Sequence, residues 1–378
     1  MALLPGVVGG SDLLQGSRAN AARSINEFPE TIRGQGAKAD KWLKPTPGLS
    51  PFATIVGADG VVRGLFQQDG RCFTVIGTGF YEIFEDGTYT KYGTVVDNGT
   101  MASFASNGTA GDQVMVVTGY NGYIFTLSTN AFAIIADADF ISNPGMVDFM
   151  DGYFIVSQIG SRTFQISALE DGTTWDALDV AERSEGSDDI ISLIRSHRDI
   201  WILGSKTSEV WYDNGDALFP FAPIQGAFIE HGSAGPFTVT RVNETLVWLE
   251  QGELGYGTVV RADGYNPTQI STYSISLQIQ QGMSLYNARA WGYQEDGHSF
   301  YVLTFLLQVD PYNTSKCLDL TEGEWHERAT WNATLCEWEQ HRAQCHAFCF
   351  NKHLVGDRLA GVIYDMSTAY FNETLVVV

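Results

Sequence analysis

The chain has 378 residues, enough for one large all-β domain or two ordinary domains with a sizeable core. Its 44 acidic residues exceed its 22 basic residues and give a formal charge of −22, with the acids scattered along the chain. This balance argues against a protein that grips nucleic acid or an anionic membrane, because phosphate binding needs a basic stripe. No stretch reaches the roughly 18 apolar residues that cross a bilayer, so we expect no membrane insertion.

The first 55 residues predict an extended arm. The segments SINEFPETI and KADKWLKPTPGL flank the turn Gly34-Gln35-Gly36, and neither segment shows the pattern of a packed domain. We therefore divide the chain into an N-terminal arm, residues 1–55, and a body, residues 56–378.

The body repeats a unit of three β-rich runs separated by tight turns, with a poorer run after them. The second runs start 42, 40, 46, 46, 54 and 53 residues apart. They are RCFTVIG at Arg71, QVMVVTG at Gln113, YFIVSQ at Tyr153, DIWILG at Asp199, TLVWLE at Thr245, SFYVLTF at Ser299 and KHLVGD at Lys352. The third runs are FYEIF at Phe80, YIFTL at Tyr123, TFQIS at Thr163, SEVWYD at Ser208, TVVRAD at Thr258, KCLDL at Lys316 and GVIYDM at Gly361.

The second runs are nearly continuously apolar, as in Ile200-Trp201-Ile202-Leu203. Strands covered on both faces have this pattern, whereas the sheets of a sandwich alternate apolar and polar residues. An antiparallel sheet is covered on both faces when it is stacked between two others, as a propeller blade is. The sequence thus predicts an all-β protein, a β-propeller of about seven blades, with six or eight as alternatives. The last unit lacks outer strands, and we expect the N-terminal arm to supply one and close the ring.

Carboxylates near the middle of the chain are one candidate site. The pairs Asp188 with Asp189 and Glu209 with Asp213 have the composition of a glycosidase site, but nothing places two acids across one cleft. The stretch 213–216, Asp-Asn-Gly-Asp, resembles the start of a calcium loop without its glutamate at position 12.

A second candidate groups Arg195, His197, Arg198 and Asp199 within five positions. In the repeat these residues fall on the turn between the first and second runs of a unit, where exposed charged side chains are expected. We therefore interpret them as a hairpin tip, and we expect any further role to be contact with a neighbouring subunit or tail protein.

A third candidate is the C-terminal stretch HRAQCHAFCFNKH, which contains potential zinc ligands. Its members are His341, Cys345, His346, Cys349 and His353. The two cysteines fall in an apolar strand pattern, where buried thiols are common. Because no common catalytic motif occurs either, we expect no catalytic, cofactor-binding or metal-binding residues, and a protein that is not an enzyme.

The amino-acid sequences of several segments, and their order along the chain, resemble those of one known family. The body from residue 147 to about residue 280, including FPFAPIQGAFIEHGSAGPFTV, is similar to the packaged-DNA stabilisation proteins of short-tailed bacteriophages, the tail accessory or hub family. The segments SINEFPETI, LKPTPGL, FYVLTF, EWHERATW and HRAQCHAFCFNKHLVGD resemble the same group. The resemblance covers most of the chain, and its motifs are structural.

This resemblance implies a structural virion protein of the phage tail, made in the host cytoplasm. Copies of it, six expected, would form a ring that continues the DNA channel below the portal and its adaptor ring. The ring would help retain packaged DNA and carry the tail needle or plug and the tailspike or fibre proteins. An acidic ring would let DNA slide without sequence-specific binding.

Two other functions are compatible with a propeller in a phage tail. One is a lectin-like receptor-binding protein that stacks sugars on loop aromatics such as Trp175, Trp291 or Trp325. The other is a polysaccharide-degrading enzyme that uses one of the carboxylate pairs.

Overall fold

Seven four- or five-stranded antiparallel sheets follow one another around a ring. The computed structural model describes residues 9–13, 21–32, 41–251, 257–280, 284–306 and 313–375. All seven second runs and all seven third runs of the repeat are strands of the expected sheets, so the predicted β-propeller and its blade number are confirmed. Within the described residues, no helix is long and apolar enough to span a bilayer.

The strands of each blade run in chain order from the ring axis outward, with one exception in blade 7. Blade 1 is Val62–Gln68, Arg71–Ile76, Gly79–Ile83 and Tyr89–Thr94; blade 2 is Ser103–Ser106, Gln113–Val117, Gly122–Thr126 and Ala131–Ile134; blade 3 is Pro144–Met150, Tyr153–Gln158, Thr163–Ala168 and Asp171–Glu182; blade 4 is Ile190–Ser196, Asp199–Gly204, Ser208–Asp213 and Phe221–Ile229. Blade 5 is Thr240–Val242, Thr245–Gln251, Gly257–Asp263 and Asn266–Gln269; blade 6 is Arg289–Glu295, His298–Thr304, Ser315–Asp319, Glu324–Asn332 and Glu337–Gln340; blade 7 is Ala343–Cys349, Lys352–Asp357, Val362–Ser367 and Gly48–Thr54.

The outer strand of blade 7 comes from the start of the chain. Gly48–Thr54 pairs antiparallel with Val362–Ser367, so the two ends of the chain meet in one sheet. The boundary drawn after residue 55 stays a prediction, but this strand belongs to the propeller in space. Helices are short: Gly108–Gly111 in blade 2, Tyr273–Gln280 after blade 5, and the 3-10 turn Leu285–Asn287.

The hydrophobic core is divided among the interfaces between blades. Phe73 of blade 1 packs with Val116 and Phe125 of blade 2, for example, and equivalent clusters fill the other interfaces. The cluster that contains Ile363 of blade 7 and Ile76 of blade 1 completes the circle. Each second strand is therefore covered on both faces, which is why these runs are continuously apolar.

The remaining described part of the arm lies on the outer edge of blade 6. We call residues 21–32 and 41–45 the strap; it contains a hairpin of Glu27–Thr31 and Lys41–Pro45. Its Ile25 bridges to Glu327, and its Phe28 packs 5.2 Å from the ring of Phe300. Because the strap covers it, Glu324–Asn332 is largely buried, unlike the exposed outer strand Tyr89–Thr94 of blade 1.

Candidate functional site in the channel of the propeller

The stretch 195–199 forms the hairpin tip that the repeat predicts. Ser196 pairs with Asp199 across the turn, and His197 has a positive φ of 56°. Asp69 and Asp151 occupy the equivalent corner of their blades with φ of 51° and 48°. Aspartate is frequent in this left-handed backbone conformation because its short side chain tolerates it.

The four charged side chains of this tip point in different directions. Asp199 accepts a hydrogen bond from the Tyr265 hydroxyl at 2.8 Å, and the 84% exposed Arg198 lies 3.4 Å from Asp151. The Arg195 guanidinium donates to the carbonyl oxygens of Phe149 and of His197. They form no common site, so the structure places them as a turn.

Arg195 nevertheless leads to a polar group that the sequence did not reveal. Its backbone N–H donates to Asp148 Oδ2 at 2.7 Å, and this bond joins the inner strands of blades 3 and 4. Burial raises the pKa of the Asp148 carboxyl, while the charges of Arg241 and Arg195 and two backbone N–H groups oppose that rise. Asp148 thus places a carboxylate near the charges of Arg241 and Arg195 in the channel.

The channel is a chain of three small cavities lined by inner strands and by the loops that link blades. The turn-side cavity, about 310 Å³, is lined by Phe66, Phe104, Asp148, Arg195 and Arg241 among others. The middle cavity, about 240 Å³, and the loop-side cavity, about 280 Å³, follow along the axis. Volumes of this order suit small ligands, so the channel of a single propeller is too small for a DNA duplex.

Arg289 stands where the loop-side and middle cavities meet, because it lines both. Its Nη1 donates to the side-chain oxygen of Gln344 on blade 7. Asp189, an acid of the carboxylate candidate, lies exposed on the wall of the same loop-side cavity. These two residues come from blade 6 and from the loop before blade 4, about 100 positions apart in the sequence.

The other candidate carboxylates serve the fold. Arg183 is fully buried between Asp188 at 3.4 Å and Glu209 at 3.8 Å. Glu209 also accepts backbone N–H bonds from residues 184–186. Asp213 caps its own turn through the N–H of Gly215. The pairs therefore do not face each other across a cleft.

The C-terminal histidines and cysteines are dispersed. His346 Nε2 lies 3.0 Å from His353 Nδ1, but the buried His341 lies 3.6 Å from Glu373 instead. Burial lowers the pKa of His346 to about 3, so this ring is neutral near pH 7. In the ranges described above, no three His, Cys, Asp or Glu side chains come together in a way that could hold a metal ion.

The aromatic residues proposed for sugar stacking are buried, and that expectation is wrong. Trp175, Trp291 and Trp325 are each at most 4% exposed. Trp175 and Trp325 donate their indole N–H groups to the carbonyl oxygens of Gly172 and Ile270. They lie in the interfaces between blades, where large side chains fill the space between sheets.

An ion cluster around the buried Glu327 ties the strap to blade 6. Arg23 donates Nε and Nη2 to the two oxygens of Glu327, at 3.0 and 2.6 Å. The Lys316 ammonium lies 3.4 Å from the same carboxylate, and the Thr314 hydroxyl donates to it. Burial alone would raise the pKa of Glu327, but these hydrogen bonds and charges outweigh it and lower the pKa to about 2. Burial lowers the pKa of Lys316 to about 8 against the attraction of Glu327.

Comparison with known proteins finds one family and several solved structures of similar fold. The model of a family described as "Phage_stabilise: Bacteriophage P22 Gp10, beta-propeller" matches residues 22–370. No curated protein matches the sequence. Among solved structures, the extracellular domain of a hybrid two component system from B. thetaiotaomicron aligns with a TM-score of 0.56 at 6% identity, over 85% of this chain and 40% of that one.

Two further solved structures align with this chain over nearly their whole length. Virginiamycin B lyase from Staphylococcus aureus has a TM-score of 0.55 at 12% identity over 84% of this chain and 98% of the lyase. The N-terminal domain of Nup159 has a TM-score of 0.52 at 8% identity over 91% of this chain and 98% of that domain. At such identities these likenesses establish the propeller fold alone.

Proposed function

Because the chain belongs to the phage stabilisation family of P22 Gp10, we propose that it is a tail hub or nozzle protein of a short-tailed phage. Membership of the family supports a structural, DNA-stabilising role and a place in the virion. The finer proposal is that copies of the chain, six expected, assemble into a ring. The ring continues the channel of the portal and adaptor, helps retain packaged DNA, and carries the tail needle and the spikes or fibres.

The match over residues 22–370 is the observation that carries this proposal, since it spans the strap and all seven blades. Two properties of the molecule agree with it. The formal charge of −22 disfavours tight binding of DNA that must move past the protein. The cavities of the propeller are too small for a duplex, so the DNA passage of the proposal lies between copies of the chain.

We assign no reaction to the protein. Its likeness to a lyase is one of fold at 12% identity. The candidate acids Asp188 and Glu209 are occupied by Arg183, and the candidate tryptophans are buried, so no observation favours the enzyme or the lectin.

Purified virions of the phage that encodes the chain test the proposal directly. We expect mass spectrometry to find the protein in these particles, and cryo-EM to show a ring of copies between the adaptor and the needle. Particles assembled without the protein should package DNA but lose it to added nuclease. Absence of the protein from virions, or full nuclease resistance without it, contradicts the proposal.

The hairpin tip of blade 4 offers a sharper test of assembly. Arg195 holds carbonyl oxygens within the fold, whereas Arg198 and His197 are exposed and free to contact a neighbour. We expect His197→Ala with Arg198→Ala to weaken ring assembly or virion infectivity while the melting temperature is unchanged. Arg162→Ala is the matched control, because it also removes an exposed ion pair, with Glu182 at 3.0 Å. Normal assembly by the double variant refutes contact at this tip.

A further inference from the structure

Arg289 is a buried cation without an anionic partner. Its side chain is 8% exposed, and among the described residues no carboxylate lies within ion-pair distance of it. A guanidinium carries five N–H donors, and the described contacts account for one of them, to Gln344. Burial, together with the nearby cations Arg63 and Arg358, lowers the pKa of Arg289 to about 10, so the group is charged at neutral pH.

Three of the other buried cations of the propeller are satisfied by the fold. Arg63 donates to three backbone carbonyl oxygens, those of Thr100, Gly77 and Val96. Arg183 lies between two carboxylates, and Lys316 lies beside Glu327. A fourth, Arg328, donates to the Tyr293 hydroxyl, lies over the rings of Tyr293 and Phe300, and lines none of the three channel cavities. An unpaired buried charge is unfavourable, because the protein interior solvates it less well than water does. The fold therefore keeps at Arg289 a donor group that an anion would complete.

One of the two cavities that Arg289 lines has largely apolar walls. The loop-side cavity of about 280 Å³ has walls of Met101, Met146, Ile159 and Phe237, with the half-exposed Tyr286 at its opening. Small-molecule sites have this character, apolar walls with a few convergent polar groups. The exposed Asp189 on the same wall repels a second negative charge, which disfavours phosphates and polyanions.

We propose that the loop-side cavity binds an organic monocarboxylate, with its carboxylate on Arg289 and its apolar body against the methionine, isoleucine and phenylalanine walls. Arginine and carboxylate match in a planar, two-bond geometry that strengthens the contact. The same chemistry is present in a small free acid and in the C-terminal residue of a peptide. This site is independent of the ring proposed above, because it lies within one propeller.

Matched ligand pairs test the site on the full chain. Titration calorimetry compares 4-phenylbutyrate with 4-phenylbutyramide, and acetyl-Gly-Gly-Phe acid with its amide. We expect at least one acid to bind about tenfold or more tighter than its amide, the effect of a charge-assisted hydrogen-bond pair. The small acid binding alone assigns a metabolite-like ligand, and the peptide acid binding alone assigns a chain terminus. Equal binding of acids and amides, or no binding by any of the four, overturns the proposal.

Variants locate the effect. Arg289→Met should abolish the preference for the acid, and Arg198→Met, which removes an exposed cation on the turn side, should preserve it. Tyr286→Ala should weaken acid and amide alike, since it removes apolar wall and no charge. Should Arg289→Met not fold, methyl NMR of the wild type decides, because the acid should shift Met101 and Met146 among the seven methionines. Shifts at other methionines only, or a retained acid preference in Arg289→Met, refute the assignment.

Discussion

Replacing Arg23 by glutamine should release the strap from blade 6. Breaking a buried ion pair from one side costs about 3–5 kcal/mol, because the other charge stays behind without its partner. Here Glu327 is 1% exposed but keeps Lys316 at 3.4 Å, so we expect a loss of free energy of unfolding at the lower end, about 3 kcal/mol.

The lowered pKa of Glu327 gives the stabilisation that Arg23, Lys316 and Thr314 supply together, of which Arg23 provides one part. A carboxyl lowered from 4.5 to about 2 contributes about 3 kcal/mol at neutral pH, at roughly 1.4 kcal/mol per pKa unit. Because the folded pKa is depressed, this contribution is complete above pH 4.5 and is lost as the pH falls toward 2. The deficit of Arg23→Gln should therefore shrink over that same interval.

Urea unfolding at several pH values measures this deficit, and limited proteolysis of the strap shows whether it detaches locally. Lys41→Gln is the matched control, since Lys41 joins the strap to Glu324 of the same strand at 2.8 Å but both side chains are about one-third exposed. We expect the control to lose less than about 1 kcal/mol. Equal losses for the two variants, or a deficit that does not change with pH, would refute the reasoning.

Three other predictions concern the rest of the fold. Gly48→Ala puts a Cβ 2.5 Å from a backbone oxygen of the C-terminal segment and should destabilise ring closure by about 2 kcal/mol in urea unfolding, whereas Gly9→Ala, with open space around it, should not. Burial raises the pKa of Glu373 to about 7, which costs stability increasingly as the pH rises from 4.5 to 7; Glu373→Gln should thus raise the melting temperature at pH 8 and leave it unchanged at pH 4. Arg183→Met leaves two buried carboxylates without their cation and should lower the free energy of unfolding in urea by about 3 kcal/mol or more. An unchanged urea midpoint would contradict this prediction.

The blades could be predicted from the sequence because a strand that is buried on both faces has a continuous apolar run. Ile200-Trp201-Ile202-Leu203 reads as an interior strand with no knowledge of its neighbours, and the tight turn before it fixes the start of the strand. The helix Tyr273–Gln280 could not be read in this way. Its sequence YSISLQIQ alternates polar and apolar residues as a strand does, and it is helical because Ile275 and Ile279 pack into the interface of blades 5 and 6.

The channel residues could not be predicted for a different reason. Asp148, Arg241 and Arg289 each stand alone on the inner strand of a different blade, and no local motif contains two of them. They meet only because the ring brings inner strands to a common axis. The exposed position expected for Trp291 was wrong on the same ground, since its burial depends on a neighbouring blade that starts some 50 residues later.

Ring closure orders the folding of the chain. Residues 48–54 pair with residues 362–367, so we expect the outer strand of blade 7 to pair only after residue 367 has been made. We expect blades 1 to 5, whose strands pair within about 50 residues, to form earlier, because the pairing that closes the ring carries the larger loop-closure entropy. The strap directly precedes Gly48–Thr54 in the sequence. Its ion cluster on blade 6 shortens the free chain that remains to be ordered. The effects of Arg23→Gln and Gly48→Ala on the free energy of unfolding are therefore expected to be coupled. The double variant should lose less free energy of unfolding than the sum of the two single losses.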